Sequence, residues 1–184
     1  MDKTASWPHD DVLHAWWVEP RRLLAGEYPG ARTPEQTAKK LRLLADAGID
    51  TIIDLTRPED GLEPYQEALP AVRESIGREL RHYAHPIPDM GVLDQAGYDG
   101  IVGFIRSEID DGRTVYLHCW GGKGRTTTVV GCLLIDGGLD YDTTIGRIAE
   151  LRAGTRKAHE RCPESESQRR ALRERATRRL GLQT

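Results

Sequence analysis

Three short runs rich in β-branched and aromatic residues alternate along this chain with longer helical patterns, and that alternation limits the fold more than any other feature. The runs are residues 49–55, 80–87 and 113–118. Apolar runs of this length are typical of parallel strands that are buried inside a sheet. Residues 15–25 predict further short strands around a turn. The sequence therefore predicts an α/β fold with a central, mostly parallel sheet of about four to five strands flanked by helices.

Helical patterns fill the segments between these strands. Thr33 precedes Pro34, and apolar residues then recur at helical spacing as far as Gly48, which predicts a capped amphipathic helix. Further helices are predicted at residues 94–111, 126–135 and 142–151.

The length of 184 residues indicates one domain over residues 1–184, with residues 1–14 as a flexible or wrapped arm because they lack periodicity. Hydrophobic residues make up 38% and charged residues 30% of the chain, which excludes a disordered tail, a collagen and a membrane protein. The longest uncharged apolar stretch, residues 126–135, is far shorter than the roughly 20 residues that cross a bilayer. Three cysteines are too few for a secreted disulfide framework, so we expect a cytoplasmic location.

The last part of the chain is basic, since residues 152–184 carry ten basic and four acidic side chains. Ser165 and Gln168 have the spacing of a capping box, which predicts a basic helix over residues 165–180. We interpret its charges as the solvated face of a terminal helix; the alternative is a surface for nucleic acid or an anionic membrane. Because no aromatic residues interleave with the charges, we expect no nucleic-acid partner. The lack of a spanning stretch predicts no stable membrane insertion.

The segment HCWGGKGRT, residues 118–126, lies between the third strand and an apolar helix. Its three glycines free the backbone to curl, so that successive N–H groups can point into one bowl. The bowl opens onto a helix N-terminus, where the helix dipole favours an anion. A phosphate-binding loop is therefore predicted, formed by Trp120, Gly121, Gly122, Lys123, Gly124 and Arg125.

Three side chains of this segment are candidates for catalysis. Arg125 supplies a planar guanidinium fork that suits two phosphate oxygens. The same positive field favours the thiolate form of Cys119, which would then be nucleophilic. Thr126 is expected to place a hydroxyl beside the sulfur and to stabilise it as a leaving group. A buried cysteine in an ordinary strand-to-helix turn is the alternative, and the combination of cysteine, three glycines, arginine and threonine disfavours it.

HCWGGKGRT resembles the signature loop HCxxGxGR(S/T) of the cysteine-dependent protein tyrosine and dual-specificity phosphatases, and LLAGEYPG resembles the N-terminal segment of small bacterial members. The resemblance implies a thiolate nucleophile at Cys119, a phosphate clamp at Arg125 and a phosphocysteine intermediate. It also implies an upstream loop that carries a general acid, and Ile87-Pro88-Asp89 matches that loop; Asp94 is the alternative acid. No metal and no cofactor is expected.

One position departs from the family pattern, because Thr127 stands where the family usually has a glycine after Arg-Thr. That glycine helps the helix approach the loop. We therefore expect the packing to differ at Thr127 without loss of activity.

Three further residues are predicted to support the site. His118 is expected to hydrogen-bond loop carbonyls and help hold the thiolate. Asp54, at the end of the first strand, could brace the loop or Arg125, or simply form a turn. Gln168 resembles a family glutamine that borders the pocket and positions water; a capping box with Ser165 is the alternative.

The remaining cysteines and histidines carry weaker interpretations. Cys132 is predicted to be a core residue, and Cys162 is a weak candidate for a disulfide partner that protects Cys119. His82 and His85 lack a convincing set of metal ligands, so packing at a strand edge is preferred.

The sequence leaves the substrate open. A phosphorylated protein is the first choice, with an inositol phosphate or phosphoinositide second, because Lys123 resembles the lysine of the loop HCKAGKGRT in a phosphoinositide phosphatase tumour suppressor. Bulky Trp120 stands where that loop has another lysine. Further alternatives are a non-catalytic phosphate-binding module and a rhodanese-type sulfurtransferase. The oligomeric state is not predicted.

Overall fold

The computed structural model describes residues 6–181 and contains a five-stranded mixed sheet. The strands are β1 Ala15–Glu19, β2 Leu23–Gly26, β3 Thr51–Asp54, β4 Arg81–Ala84 and β5 Val115–His118. They lie side by side in the order β1-β2-β5-β3-β4. Only the β1–β2 pair is antiparallel within these residues, and the other three pairs are parallel. The predicted α/β fold with a mostly parallel sheet is confirmed.

Six helices flank the sheet within the described residues. They are α1 Pro34–Asp46, α2 Leu69–Ile76, α3 Gln95–Asp110, α4 Arg125–Asp136, α5 Tyr141–Arg152 and α6 Glu166–Gly181. The Thr33 side chain accepts a hydrogen bond from the Gln36 amide and so caps α1 as expected, and Gly48 takes a φ of +87° just beyond its end. Between β3 and α2, two short 3₁₀ turns cover Pro58–Asp60 and Tyr65–Ala68.

Alternate residues of the central strands pack on opposite faces of the sheet. One apolar cluster, beneath α3 to α6, includes Ile53 and Leu117, and the other, beneath α1 and α2, includes Ile52 and Tyr116. All four side chains are fully buried. A sheet that is covered on both faces explains why its strands read as continuous apolar runs.

The strands are shorter than their apolar runs. The run 80–87 contributes only Arg81–Ala84, because Pro86 and Pro88 lack the amide hydrogens that a strand ladder requires. In the parallel register, both Asp54 and Gly26 lie opposite His118. The carboxyl ends of β2, β3 and β5 therefore meet at one edge of the sheet, where ligands enter α/β folds.

The two ends of the described chain pack on the body of the molecule. Of the predicted arm 1–14, residues 1–5 lie outside the described residues, while Trp7 is buried and donates through Nε1 to the Leu13 carbonyl at 2.7 Å. The charges of α6 were expected to be solvated, but Arg175 is buried and forms a two-bond pair with Asp136. Over residues 6–181, the helices are too short or too polar for any of them to cross a membrane.

Candidate active site

A cavity of about 350 Å³ lies at the carboxyl edge of the sheet. Cys119, Arg125 and Asp89 line it together with Trp120 and Lys123. The Cys119 side chain is almost completely buried, whereas Trp120 at the mouth of the cavity is 62% exposed. The structure thus brings together the three main residues that the sequence pointed to, from two segments about thirty positions apart.

The loop between β5 and α4 depends on its glycines. Gly122 has a φ of +71°, and a Cβ atom there would lie 2.6 Å from the Gly26 carbonyl carbon. A Cβ atom on Gly124 would lie 2.8 Å from the Gln168 amide nitrogen and 2.9 Å from a Glu164 carboxylate oxygen. Any larger residue at either position would push the loop away from its neighbours.

Two carbonyls of the loop are held by donors outside it. The Tyr28 amide donates to the Trp120 carbonyl at 2.9 Å, and Lys157 Nζ donates to the Gly121 carbonyl at 3.1 Å. Among the residues that the structure describes, no backbone N–H of residues 120–124 donates a hydrogen bond. Five amide donors beside Cys119 are therefore available to an anion, as the predicted phosphate-binding loop requires.

Arg125 begins α4 and is 98% buried, with its guanidinium fixed on several sides. Nη1 donates to Asp60 at 2.6 Å and to the Ile87 carbonyl at 3.1 Å, and Nη2 lies 3.2 Å from an Asp89 oxygen. Burial by itself would lower the pKa of Arg125, but the Asp60 hydrogen bond and the charge of Cys119 outweigh it and raise that pKa. The cation is thus held in one orientation at the cavity.

Asp54 does not brace Arg125, which corrects one of the two roles expected of it. Its carboxylate accepts from the Thr56 amide at 2.8 Å and lies 3.3 Å from His82 Nε2, so it forms a turn and faces away from the arginine. Asp60 makes the arginine contact instead. Burial would raise the pKa of Asp54, but its hydrogen bonds and the charge of His118 lower it to about 2.

His118 lies between the turn at Asp54 and the loop. Its Nδ1 is 3.0 Å from the Cys119 carbonyl, and its Nε2 is 2.7 Å from the Tyr65 hydroxyl. The expected hydrogen bond to a loop carbonyl is present. Burial lowers the pKa of His118, so the ring is neutral near pH 7.

The threonines after Arg125 differ in their partners. The Thr126 hydroxyl is buried and, among the described residues, has no hydrogen-bond partner. Thr127, where the family usually has glycine, is fully buried and donates to the Lys123 carbonyl. The substitution therefore adds a hydrogen bond between α4 and the loop, which is the difference in packing expected there.

The segment that carries Asp89 forms a tight turn on the cavity rim. The Gly91 amide donates to the Pro88 carbonyl at 2.9 Å, and Met90 takes a φ of +56°. The Asp89 side chain remains 57% exposed. Asp94, the alternative acid, accepts from the Gly97 amide at 2.7 Å and caps α3, so its carboxylate is already engaged.

Gln168 combines both arrangements that the sequence allowed. Its side chain accepts from the Ser165 amide at 3.0 Å, and the Ser165 hydroxyl accepts from the Gln168 amide at 3.2 Å, which completes the capping box. The same side chain lies against Gly124 and donates to the Gly91 carbonyl at 3.4 Å. Gln168 thus joins the start of α6 to both loops of the cavity.

The lysines of the cavity are already paired with carboxylates. Lys123 Nζ lies 2.6 Å from Glu160 and 3.0 Å from Glu164, and these contacts raise its pKa. Lys157 Nζ lies 2.7 Å from Glu27. Lys123 is therefore not the free second cation that a resemblance to phosphoinositide phosphatases implied.

The other cysteines and histidines lie outside the cavity lining. Cys132 and Cys162 are buried free thiols, and burial raises their pKa to about 12 and about 11. His82 contacts Asp54, and His85 lies against Phe104. Over residues 6–181, His, Cys, Asp and Glu side chains form no group of three or more that could hold a metal ion.

Sequence reasoning did not find the carboxylates that order the cations of the cavity. Asp60 is 65 positions before Arg125, in an irregular segment with no pattern, and its contact depends on how that segment folds back over the sheet. Glu27, Glu160 and Glu164 likewise looked like ordinary surface charges. No local signal distinguishes such residues, because the contacts join segments that are distant along the chain.

A family model described as "PTP-SAK: Swiss Army Knife protein, DSP-PTPase phosphatase domain" matches residues 14–179. Phosphatidylglycerophosphate phosphatase PTPMT2 from Arabidopsis thaliana is 32% identical over 126 residues, which cover 66% of this chain and 48% of that protein. The chain spans about half the length of that relative. Kinase associated phosphatase, with serine replacing its catalytic-site cysteine, superposes with a TM-score of 0.70 at 22% identity, covering 90% of this chain and 95% of that one. PTPMT1 in complex with PI(5)P gives a TM-score of 0.62 at 20% identity, covering 89% and 96%.

Proposed function

Because this chain belongs to the family of dual-specificity and tyrosine phosphatase domains, we propose that it hydrolyses phosphomonoesters through a phosphocysteine intermediate. The observation that carries the proposal is the buried Arg125, held by Asp60 in the same cavity as Cys119 and beside five free amide donors. The match over residues 14–179 supports a single phosphatase domain as the unit of function.

In the first step, Cys119 Sγ attacks phosphorus in line with the leaving oxygen. The amides of residues 120–124 and the Arg125 fork bind the non-bridging oxygens, whose charge they stabilise in the transition state. A guanidinium that is already oriented needs little rearrangement on binding. The sulfur–phosphorus bond forms as the bond to the leaving oxygen breaks.

Asp89 is the proposed general acid. In the structure it faces Arg125 Nη2, a contact that a bound phosphate would replace. The negative charge of the phosphate then favours the protonated carboxyl, which donates its proton to the leaving oxygen. In the second step the ionised Asp89 accepts a proton from the water that hydrolyses the phosphocysteine.

Three other side chains have supporting roles in this proposal. The Thr126 hydroxyl, buried and otherwise unpaired, donates to the sulfur when it departs as a thiolate. His118 holds the Cys119 carbonyl and so orients the start of the loop. Gln168 keeps the Asp89 turn against the loop and is close enough to position the attacking water.

A protein phosphotyrosine or phosphothreonine residue is the proposed substrate. The pairing of Lys123 with two carboxylates disfavours inositol polyphosphates, whose extra phosphates would meet Glu160 and Glu164. A lipid phosphomonoester is the second candidate. Its support is the likeness to phosphatidylglycerophosphate phosphatases and the exposed apolar side chains of Trp120 and Met90 at the cavity.

Phosphate release under reducing conditions tests these proposals directly. A phosphotyrosine peptide, a phosphothreonine peptide and a soluble phosphoinositide are compared, with Cys119→Ser as the blank and Cys132→Ala as the control for loss of a cysteine outside the cavity. We expect turnover of at least one peptide by the wild type and by Cys132→Ala, and none by Cys119→Ser. Preference for the phosphoinositide would support the second candidate. No release above the blank would leave a phosphate-binding module.

A further inference from the structure

A second cavity adjoins the candidate active site. It has a volume of about 450 Å³, and Trp120 and Glu27 line both cavities. The exposed Trp120 side chain forms the ridge between them. A substrate whose phosphate lies beside Cys119 would therefore extend over Trp120 and enter this second cavity, which we call the α1 groove and which Arg32 and Lys40 also line.

The two cavities differ in how their cations are paired. The lysines of the active-site cavity each lie within 3 Å of a carboxylate, as described above. Among residues 6–181, by contrast, neither Arg32 nor Lys40 forms a hydrogen bond or an ion pair. The carboxylates that line the groove are Glu27, which Lys157 and Arg156 already bind, and the exposed Glu63.

Lys40 is the less accessible of the two free cations. It is partly buried on α1, and burial lowers its pKa, as do the charges of Arg156 and Lys157. An ammonium in such surroundings gains more from an anion than a solvated one does, because it has lost water contacts without gaining a counter-ion. Arg32 stands on the same groove and offers a second set of donors.

We propose that Arg32 and Lys40 form an anion subsite that binds an acidic side chain next to the phosphorylated residue of a peptide substrate. This subsite rests on the phosphatase function proposed above. The Trp120 ring would cover the peptide between the two anions. A peptide is favoured over a membrane surface because Glu27, Glu160 and Glu164 line the same face and would repel anionic headgroups.

Two phosphotyrosine peptides that differ only in having aspartates or asparagines on both sides of the phosphotyrosine test the subsite. The wild type is expected to show a kcat/KM about fivefold higher for the aspartate peptide, the size expected for two partly screened ion pairs. Arg32→Gln combined with Lys40→Gln should reduce this ratio to near one. Lys39→Gln is the matched control, since Lys39 lies on the same helix but does not line the groove, and it should keep the wild-type ratio.

Thermal unfolding checks that the double variant is folded, and the single variant Lys40→Gln together with the salt dependence of the wild-type ratio replaces it if it is not. A ratio that added salt does not lower, equal kcat/KM for the two wild-type peptides, or the same fall in Lys39→Gln would overturn the subsite. A short-chain phospholipid monoester that loses turnover in the double variant while the peptide ratio holds would assign the groove to lipid and overturn it too. Absence of wild-type turnover on p-nitrophenyl phosphate would instead refute the phosphatase function itself.

Discussion

The two carboxylates that contact Arg125 lie in opposite kinds of surroundings. The Asp60 side chain is only 9% exposed and lies 2.6 Å from Nη1, whereas the Asp89 side chain is 57% exposed and lies 3.2 Å from Nη2. Asp60 also accepts from the Arg57 amide, so its position is fixed by its own turn. Asp89 has no second hydrogen bond among the described residues.

This difference separates positioning from proton transfer. A buried carboxylate with two donors holds a cation in place but has no route by which to exchange protons. An exposed carboxylate on a tight turn can leave the arginine and reach a leaving group. The four predictions below test that division, from the largest expected effect to the smallest.

Arg125→Lys removes the fork that both carboxylates contact. A single ammonium cannot bind two phosphate oxygens and two carboxylates in the same geometry, so kcat/KM should fall by about a thousandfold. Steady-state kinetics with p-nitrophenyl phosphate measure the loss. Arg22→Lys, at an exposed arginine remote from the cavity, is the control and should retain full activity. A loss below about tenfold would mean that the fork is not the phosphate clamp.

Asp89→Asn removes the proposed acid and should slow turnover by about a hundredfold for leaving groups that need a proton. With p-nitrophenyl phosphate, whose leaving group needs little help, the loss should be much smaller. A series of aryl phosphates measures the dependence on leaving-group pKa. Asp94→Asn is the matched control, since it removes only a helix cap. An equal loss across the series would deprive Asp89 of the acid role.

Asp60→Asn should lower kcat/KM by about tenfold, because a neutral amide holds the guanidinium less firmly than a carboxylate does. The dependence on leaving group should stay as in the wild type, since no proton moves through Asp60. Glu59→Gln, at the exposed neighbour in the same turn, should change neither quantity. A leaving-group dependence like that of Asp89→Asn would break the division between the two carboxylates.

Asp54→Asn should affect stability more than turnover. Its pKa of about 2 in the folded protein is below the ordinary value of 3.8, so the ionised form stabilises the fold by about 2 kcal/mol near pH 7. That contribution is present above pH 4 and is lost as the pH falls from about 4 to about 2. Urea unfolding of both proteins at several pH values measures it. A difference in unfolding free energy that stays constant in acid would contradict this account.

The parts of the site that are continuous in sequence were predictable. The loop at residues 118–126, the helix after it and the Ile87-Pro88-Asp89 turn all follow from local patterns, and the structure brings them to one cavity. The sheet and its parallel strands followed from apolar runs in the same way. Strand ends were less predictable, because the runs continue beyond the hydrogen-bonded ladder.

Contacts between distant segments could not be predicted. Asp54 seemed placed to brace Arg125 because it ends a strand at the correct edge, but its carboxylate turns toward Thr56 and His82. Asp60 takes that role from an irregular segment. The pairing of Lys123 with Glu160 and Glu164 reverses the inference drawn from the lysine alone, because neighbouring charges decide whether a cation is free.

The central claim is that Cys119 carries the phosphoryl group during turnover, and trapping that intermediate tests it most directly. The wild type is mixed with p-nitrophenyl phosphate, quenched in acid within the first turnover, and digested for mass spectrometry. We expect a phosphate on the peptide that contains Cys119, and none on that peptide from Cys119→Ser. Turnover by the wild type with no phosphate on Cys119, or continued turnover by Cys119→Ser, would contradict the account.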